Sequence, residues 1–343
     1  MTEVVPLMIV PRAGLDALDQ TLLPGEERVV QLRDLEAVCE AIRSLRVRGA
    51  PLLGIVGAAG MAIAAERGDA SDQSLHDAWQ TLAETRPTAV ELSSFARLAL
   101  DAALAVGTEA RARRDALWAF AQAHYERRIR EDRVMGEFGA ALLPAGASVL
   151  THCNTGVLAT GGIGSALGVI RVAWEAGNLE RCYATETRPL LQGARLTMWE
   201  LRKLGIPATL LPDTAAPSLI ASGRVQAVIT GADRIAANGD TANKIGTYGL
   251  AAVAARHAVP FYIAAPTTTI DPECPSGAGI PIEFRDAREV GGFGGARWSP
   301  DGGQAYNPAF DVTPGELIAG IVTECGVIRP PYGPNIAAVL QKR

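Results

Sequence analysis

Residues 147–164 read ASVLTHCNTGVLATGGIG. A short apolar, β-branched run ends in a cysteine and passes into a glycine-rich segment. The alternation then continues along the chain. Further strand-like runs occur at CYATET (182–187), ATLLP (208–212), VQAVITGAD (225–233) and PFYIAAP (260–266), with helix-like stretches near 163–177, 192–204, 215–223 and 246–256. Five strands with four intervening helices are the pattern of a parallel, doubly wound sheet, so a Rossmann-like α/β domain is expected. Open α/β sheets bind ligands beyond the carboxyl ends of their strands. The polar residues at those ends are Cys153 and Asn154, Glu186 and Arg188, Asp213, and Asp233.

Upstream of this domain the chain reads mostly helical. In DLEAVCEAIRSLRV (34–47), Leu35, Val38, Ile42 and Leu45 recur at helical spacing, and Asp34 can cap the start. PLLGIVGAAGMAIAA (51–65) is apolar all round, which predicts a buried helix opened by Pro51. Its Gly54, Gly57 and Gly60 admit a close neighbour. Helices are also expected over 90–106 and 108–131. The second carries Arg111, Arg113, Arg114, Arg127, Arg128 and Arg130 interleaved with acids, the pattern of a solvated face. The chain therefore divides into a mostly helical N-terminal domain (1–130) and a Rossmann-like catalytic domain (131–343). In the tail, GGFGGARWSPDGG (291–303) reads as a loop, and Thr313-Pro-Gly-Glu316 reads as a capping box.

Composition sets limits. The chain has 343 residues, a net charge of −5, 48% hydrophobic and 20% charged residues, which suits a packed protein of two domains. The acidic balance argues against nucleic acid and anionic membranes as partners. The longest apolar run, residues 50–65, falls short of the roughly 18–20 residues of a membrane span. MTEVVPLMIVPR lacks the pattern of a signal peptide. Five cysteines without a C-x-x-C pair fit a reducing cytoplasm, with no disulfide framework and no structural metal site.

Within THCNTGVLATGGIG the strand end, the glycines and the helix start together offer backbone N–H groups to an anion. The same setting can activate Cys153, while burial would make it an inert core thiol. His152 is its neighbour, yet successive strand side chains face opposite ways, so a Cys–His nucleophile pair is not expected. A nicotinamide site is disfavoured, because Gly162, Gly164 and Gly168 have the wrong spacing for the dinucleotide fingerprint. Asp233 follows an apolar strand, where desolvation would suit a carboxyl to general acid work. Asn243 and Lys244 precede the 246–256 helix, as anion or hydroxyl ligands or as solvated residues. Arg48 with the N–H groups of Gly49 and Ala50 would clamp a phosphate, and Arg86 is a second candidate.

LDQTLLPGE (18–26), RGAP (48–51), TRPTAVEL (85–92), THCNTG (151–156), ETRPLLQGARLTMWEL (186–201), GADRI (231–235), NGDTANKIGTY (238–248) and YNPAFDVTP (306–314) together resemble the 5-methylthioribose-1-phosphate isomerase family. They span nearly the whole chain. The fold is shared with ribose-1,5-bisphosphate isomerases and with regulatory subunits of a translation-initiation exchange factor, which lack the catalytic pair. The resemblance implies a cofactor-free aldose–ketose isomerase of methionine salvage, acting as a homodimer on a small sugar phosphate. It places catalysis on Cys153 and Asp233, and substrate binding on Arg48, Gly49, Ala50, Arg86, Gln192, Asn243 and Lys244. Gln192 is implied by the resemblance alone. Departures fall at Glu283-Phe284 and in REVGGFGGARWSPDGG (288–303). Isomerisation of 5-deoxyribose 1-phosphate or ribose 1,5-bisphosphate, or a non-catalytic regulatory role on the same fold, are the alternatives.

Overall fold

The computed structural model describes residues 4–87, 89–300 and 302–341. The chain divides into two compact units. One runs to Glu131 and takes in Val157–Gly164; the other takes Asp132–Gly156 and everything from Ser165 onward.

The first unit begins with an antiparallel sheet of β1 (Leu7–Val10), β2 (Gly14–Leu18) and β3 (Val29–Leu32), strands too short to announce themselves in the sequence. Helices follow: α1 (Leu35–Arg43), α2 (Ala50–Arg67), α3 (Asp72–Thr85), α4 (Val90–Ala105), the N-terminal part of α5 (Ala110–Ala140), and the short α6 (Val157–Thr160). Asp34 caps α1 as expected, its Oδ1 accepting from the Ala37 amide at 2.8 Å. Helix α2 is the core element. The helix extends past the apolar run by Glu66 and Arg67, which makes it long and apolar enough to cross a membrane by length and composition, yet 72% of it is buried inside the protein. Leu52, Leu53, Ile55, Val56, Met61 and Ile63 are at most 1% exposed, each contributing about 1.5–3 kcal/mol of burial. Gly54, Gly57 and Gly60 meet Phe95, Leu92 and Leu82 at close range, as their spacing predicts.

The arginine-rich helix corrects an expectation. Arg113 and Arg128 are buried rather than solvated. Arg113 donates to the carbonyls of Gly107 and Ala70 and pairs with Asp72, and Arg128 pairs with Glu131. Buried guanidinium groups persist only where such acceptors meet them.

The second unit is built on a seven-stranded sheet. Its strands, with those that branch from it, are β4 (Ala147–Thr151), β5 (Leu179–Thr185), β6 (Ala208–Leu211), β7 (Ala227–Thr230), β8 (Arg234–Ala236), β9 (Thr241–Lys244), β10 (Phe261–Ala264), β11 (Ile270–Asp271), β12 (Gly292–Phe293), β13 (Ala296–Arg297), β14 (Phe310–Thr313), β15 (Gly320–Thr323) and β16 (Gly326–Ile328). The main sheet has the order β16-β15-β10-β7-β4-β5-β6, parallel except for β16. Helices α7 (Ala166–Glu175), α8 (Met198–Leu204), α9 (Ala216–Ala221) and α10 (Thr247–Arg256) connect its strands. All five strands expected from the sequence are present. The order reverses between β4 and β7, which are direct neighbours with Val149 opposite Ala227 and Thr151 opposite Ile229. This is the topological switch point, where doubly wound sheets open a crevice for ligand.

The β8 and β9 strands between β7 and α10 join β11 and β14 from later in the chain in a second sheet, ordered β11-β8-β9-β14. No part of it was expected. Thr313 lies in β14, and a three-residue 3₁₀ turn (Gly315–Leu317) stands where a capping box was read. Among the described residues the buried Thr313 hydroxyl has no partner, so no such box forms. Residues 292–297 of the expected loop form the β12–β13 hairpin.

Candidate active site

Cys153 lies two residues beyond β4 and Asp233 three beyond β7, so adjacent strands at the switch point deliver both. Cys153 is a non-glycine residue in the left-handed region, at φ +66. That conformation is costly and persists only where its surroundings over-determine it. Here they do. The Cys153 amide donates to Thr187 Oγ1 at 2.9 Å, and its carbonyl accepts from Thr197 Oγ1 at 2.6 Å. Thr187 and Leu191 are also left-handed, and a five-residue π-helix, Gly193–Thr197, leads into α8. Such irregular backbone gathers at functional sites.

The next layer is polar and buried. Asn154 Nδ2 donates to Glu200 Oε1 at 2.7 Å and to Thr197 at 3.3 Å. Asp213 accepts from the amides of Thr187 and Arg188, both at 2.7 Å, so it holds the turn that carries the Cys153 amide's acceptor. His152 turns its ring to Thr185 and Ile245. Of the expected strand-end residues, Asp213 and Arg188 thus serve the backbone, Arg188 donating to the carbonyls of Pro189 and Val290.

Gln192 stands at the entrance to the π-helix. It is 6% exposed, and its Oε1 is buried without a hydrogen-bond partner. A buried acceptor left unmade is expensive, and among the described residues none donates to this one. Replacing Gln192 by leucine should leave stability unchanged or raise it by about 1 kcal/mol, since the orphaned acceptor disappears. The same variant should raise KM for the substrate about tenfold, the value of one good hydrogen bond. A lower melting temperature with an unchanged KM would give Gln192 a purely structural role.

Asn243 and Lys244 are not solvated residues at a helix start. They lie on β9, paired with Asp311 and Phe310 of β14, and are 4% and 9% exposed. Asn243 Nδ2 donates to Thr247 Oγ1 at 2.9 Å. Lys244 Nζ donates to the Ala309 carbonyl at 2.9 Å and sits 4.3 Å over the Phe310 ring. Burial pushes the Asp311 carboxyl up from its usual range, opposed by its bonds from the amides of Gly246 and Tyr248. Asp233 corrects an expectation: it is exposed, not desolvated by its strand, and its amide donates to the Ala242 carbonyl at 2.9 Å.

The remaining expected residues belong to the first unit. Arg48 Nε donates to Gln20 Oε1 at 3.1 Å, and Gln20 Nε2 donates to the Leu158 carbonyl at 2.7 Å. Gly49, at φ +99, caps α2, and Ala50 is that helix's first residue. A Cβ at Gly49 would lie 2.4 Å from Ala159 O and 2.5 Å from Ala159 Cα. Gly49→Ala should therefore destabilise the protein by about 2–4 kcal/mol, combining backbone strain with overpacking. Thermal melting checks this, and a melting temperature equal to the parent's would contradict it. Arg86 ends α3, partly buried. Among the described residues, no group of three or more His, Cys, Asp or Glu is placed to hold a metal ion.

Known proteins resemble this chain over most of its length. The model of the Initiation factor 2 subunit family matches residues 46–330. A methylthioribose-1-phosphate isomerase of Alcanivorax borkumensis is 50% identical over 92% of each chain. One from Anaeromyxobacter sp. is 51% identical over 95% of this chain and 94% of its own. Among solved structures, 5-methylthioribose 1-phosphate isomerase from Pyrococcus horikoshii superposes with a TM-score of 0.93 at 39% identity, covering 98% of this chain and 96% of that one. A chain described as translation initiation factor eIF-2B, subunit delta, from A. fulgidus gives 0.89 at 42% identity, covering 99% and 100%.

Proposed function

The chain belongs to the Initiation factor 2 subunit family and is an aldose–ketose isomerase; we propose that it converts 5-methylthioribose 1-phosphate to 5-methylthioribulose 1-phosphate, the methionine-salvage step. The observation that carries this reading is the clamped, left-handed Cys153 at the switch point, beside the strand that delivers Asp233, in a chain about 50% identical to proteins of that name.

A sugar phosphorylated at its anomeric carbon has no free aldehyde, so its ring must open first. Asp233 gives a proton to the ring oxygen as the C1–O bond breaks. One hydrogen then moves from C2 to C1, the C2 hydroxyl becomes a carbonyl, and its proton returns to the acid. Atoms balance with no external reductant. Cys153 assists the hydrogen transfer. General acid–base groups are each worth about 10²–10⁴-fold. Gln192, Asn243 and Lys244 bind the sugar in a buried setting that strengthens polar contacts. Arg48, Gly49, Ala50 and Arg86 are taken as substrate-binding on the strength of the resemblance. A homodimer in the cytoplasm completes the reading.

The test is turnover of three anomeric phosphates: those of 5-methylthioribose and 5-deoxyribose, and ribose 1,5-bisphosphate. Highest kcat/KM with the first is expected. Preference for another would reassign the substrate. Inertness toward all three would favour a regulatory role, the reading that the likeness to the A. fulgidus initiation-factor chain supports.

A further inference from the structure

We propose that His152, Thr185 and Thr187 are positioning residues that lock the backbone of Cys153 and tie it to the strand carrying Asn243 and Lys244. The proposal rests on Cys153 being the catalytic thiol; the hydrogen-bond chain behind it stands independently.

Four contacts run in series. The Cys153 amide donates to Thr187 Oγ1 at 2.9 Å, and Thr187 Oγ1 lies 3.2 Å from Thr185 Oγ1. Thr185 Oγ1 lies 2.6 Å from His152 Nδ1, and His152 Nε2 lies 2.9 Å from the Ile245 carbonyl. Both ends are backbone groups with a fixed sense: an amide can only donate and a carbonyl can only accept. The direction of every intermediate bond follows. His152 carries its proton on Nε2 and donates it to Ile245. Its Nδ1 accepts from Thr185, whose oxygen accepts from Thr187, whose oxygen accepts from the Cys153 amide. No other assignment satisfies all four contacts with a neutral ring.

His152, Thr185 and Thr187 are at most 2% exposed, so a broken link between them is not replaced by bulk water. Burial holds the imidazole below its ordinary pKa; the charge of Asp213 opposes this and that of Lys244 adds to it. A protonated ring would present a donor on Nδ1 to a hydroxyl that already donates there. The far end is equally fixed: the Ile245 amide donates to the Ala309 carbonyl at 3.1 Å, the same oxygen that receives Lys244 Nζ. One strand end thus sets both the thiol's backbone and the cation.

The experiment compares Thr185→Val, which deletes the hydroxyl at constant shape, with Thr185→Ser, which restores it, in the full-length protein. Two readouts are taken: kcat and KM separately, and the rate at which iodoacetamide alkylates Cys153, resolved by peptide mass. Thr185→Val should lower kcat by about 10- to 100-fold with KM within about threefold, as misplacement of a reacting group does. It should also speed Cys153 alkylation at least about fivefold, because the freed backbone exposes the thiol. Thr185→Ser should return both close to parent values. Parent-like kcat and alkylation in Thr185→Val, or a loss that Thr185→Ser does not restore, overturns the proposal. Should Thr185→Val not fold, Thr187→Val against Thr187→Ser asks the same question at the next link. Were the parent inert toward sugar phosphates, the functional reading would fail, while the alkylation rates would still decide the positioning role.

Discussion

Cys153→Ala should lower kcat/KM for 5-methylthioribose 1-phosphate by about 10²–10⁴-fold, the span expected for a group that takes part in hydrogen transfer. The variant isolates the thiol. The amide and carbonyl of residue 153 keep their bonds to Thr187 and Thr197, so the backbone that presents the side chain is unchanged. Alanine tolerates φ +66 no better and no worse than cysteine, so the strain is common to both proteins and cancels. The helical and strand signals in circular dichroism should match the parent. Cys153→Ser sharpens the result, since it restores a polar atom of similar reach but far lower acidity and should stay within about tenfold of the alanine variant. A serine variant with near-parental turnover would remove the thiol from the chemistry.

Asp233→Asn is the second large effect, again about 10²–10⁴-fold in kcat/KM. The substitution preserves size and shape and removes the ionisable carboxyl, with its charge and its transferable proton. Asp233 is exposed and its backbone is tied to Ala242, so stability should shift by no more than about 0.5 kcal/mol. That separation of activity from stability is the point. An active Asp233→Asn refutes the acid assignment, whereas an inactive but unfolded one would contradict the placement of this residue on the surface.

Much of this was legible before any coordinates. Five of the seven main-sheet strands announce themselves as short apolar runs between helices; β4, β7 and β10 are buried throughout, while the edge strand β6 is not. Their alternation with helices fixes a parallel sheet, and that topology puts Cys153 and Asp233 at neighbouring strand ends. The second sheet was illegible for a physical reason. Its strands, such as RIA, TANK and FDVT, are three or four residues long and half polar. Their pairing joins residues as distant as Lys244 and Phe310, and no local pattern encodes that. The solvated alternative for Asn243 and Lys244 is therefore removed only by their burial on β9. The threonines were hidden too, because Thr185 near a strand end signals only β propensity. Its hydroxyl acquires a role when the fold brings it to His152. Gln192 lies where helical periodicity marks only a core face. Its significance is the orphaned Oε1, which exists only in three dimensions.

The most direct measurement follows 5-methylthioribose 1-phosphate by ¹³C NMR in the presence of the purified protein and no added cofactor. The account predicts that the anomeric carbon signal is replaced by a ketone carbon at C2, and that the same sample with Cys153→Ala or Asp233→Asn shows no such change over the same time. An unchanged spectrum with folded parent protein would contradict it.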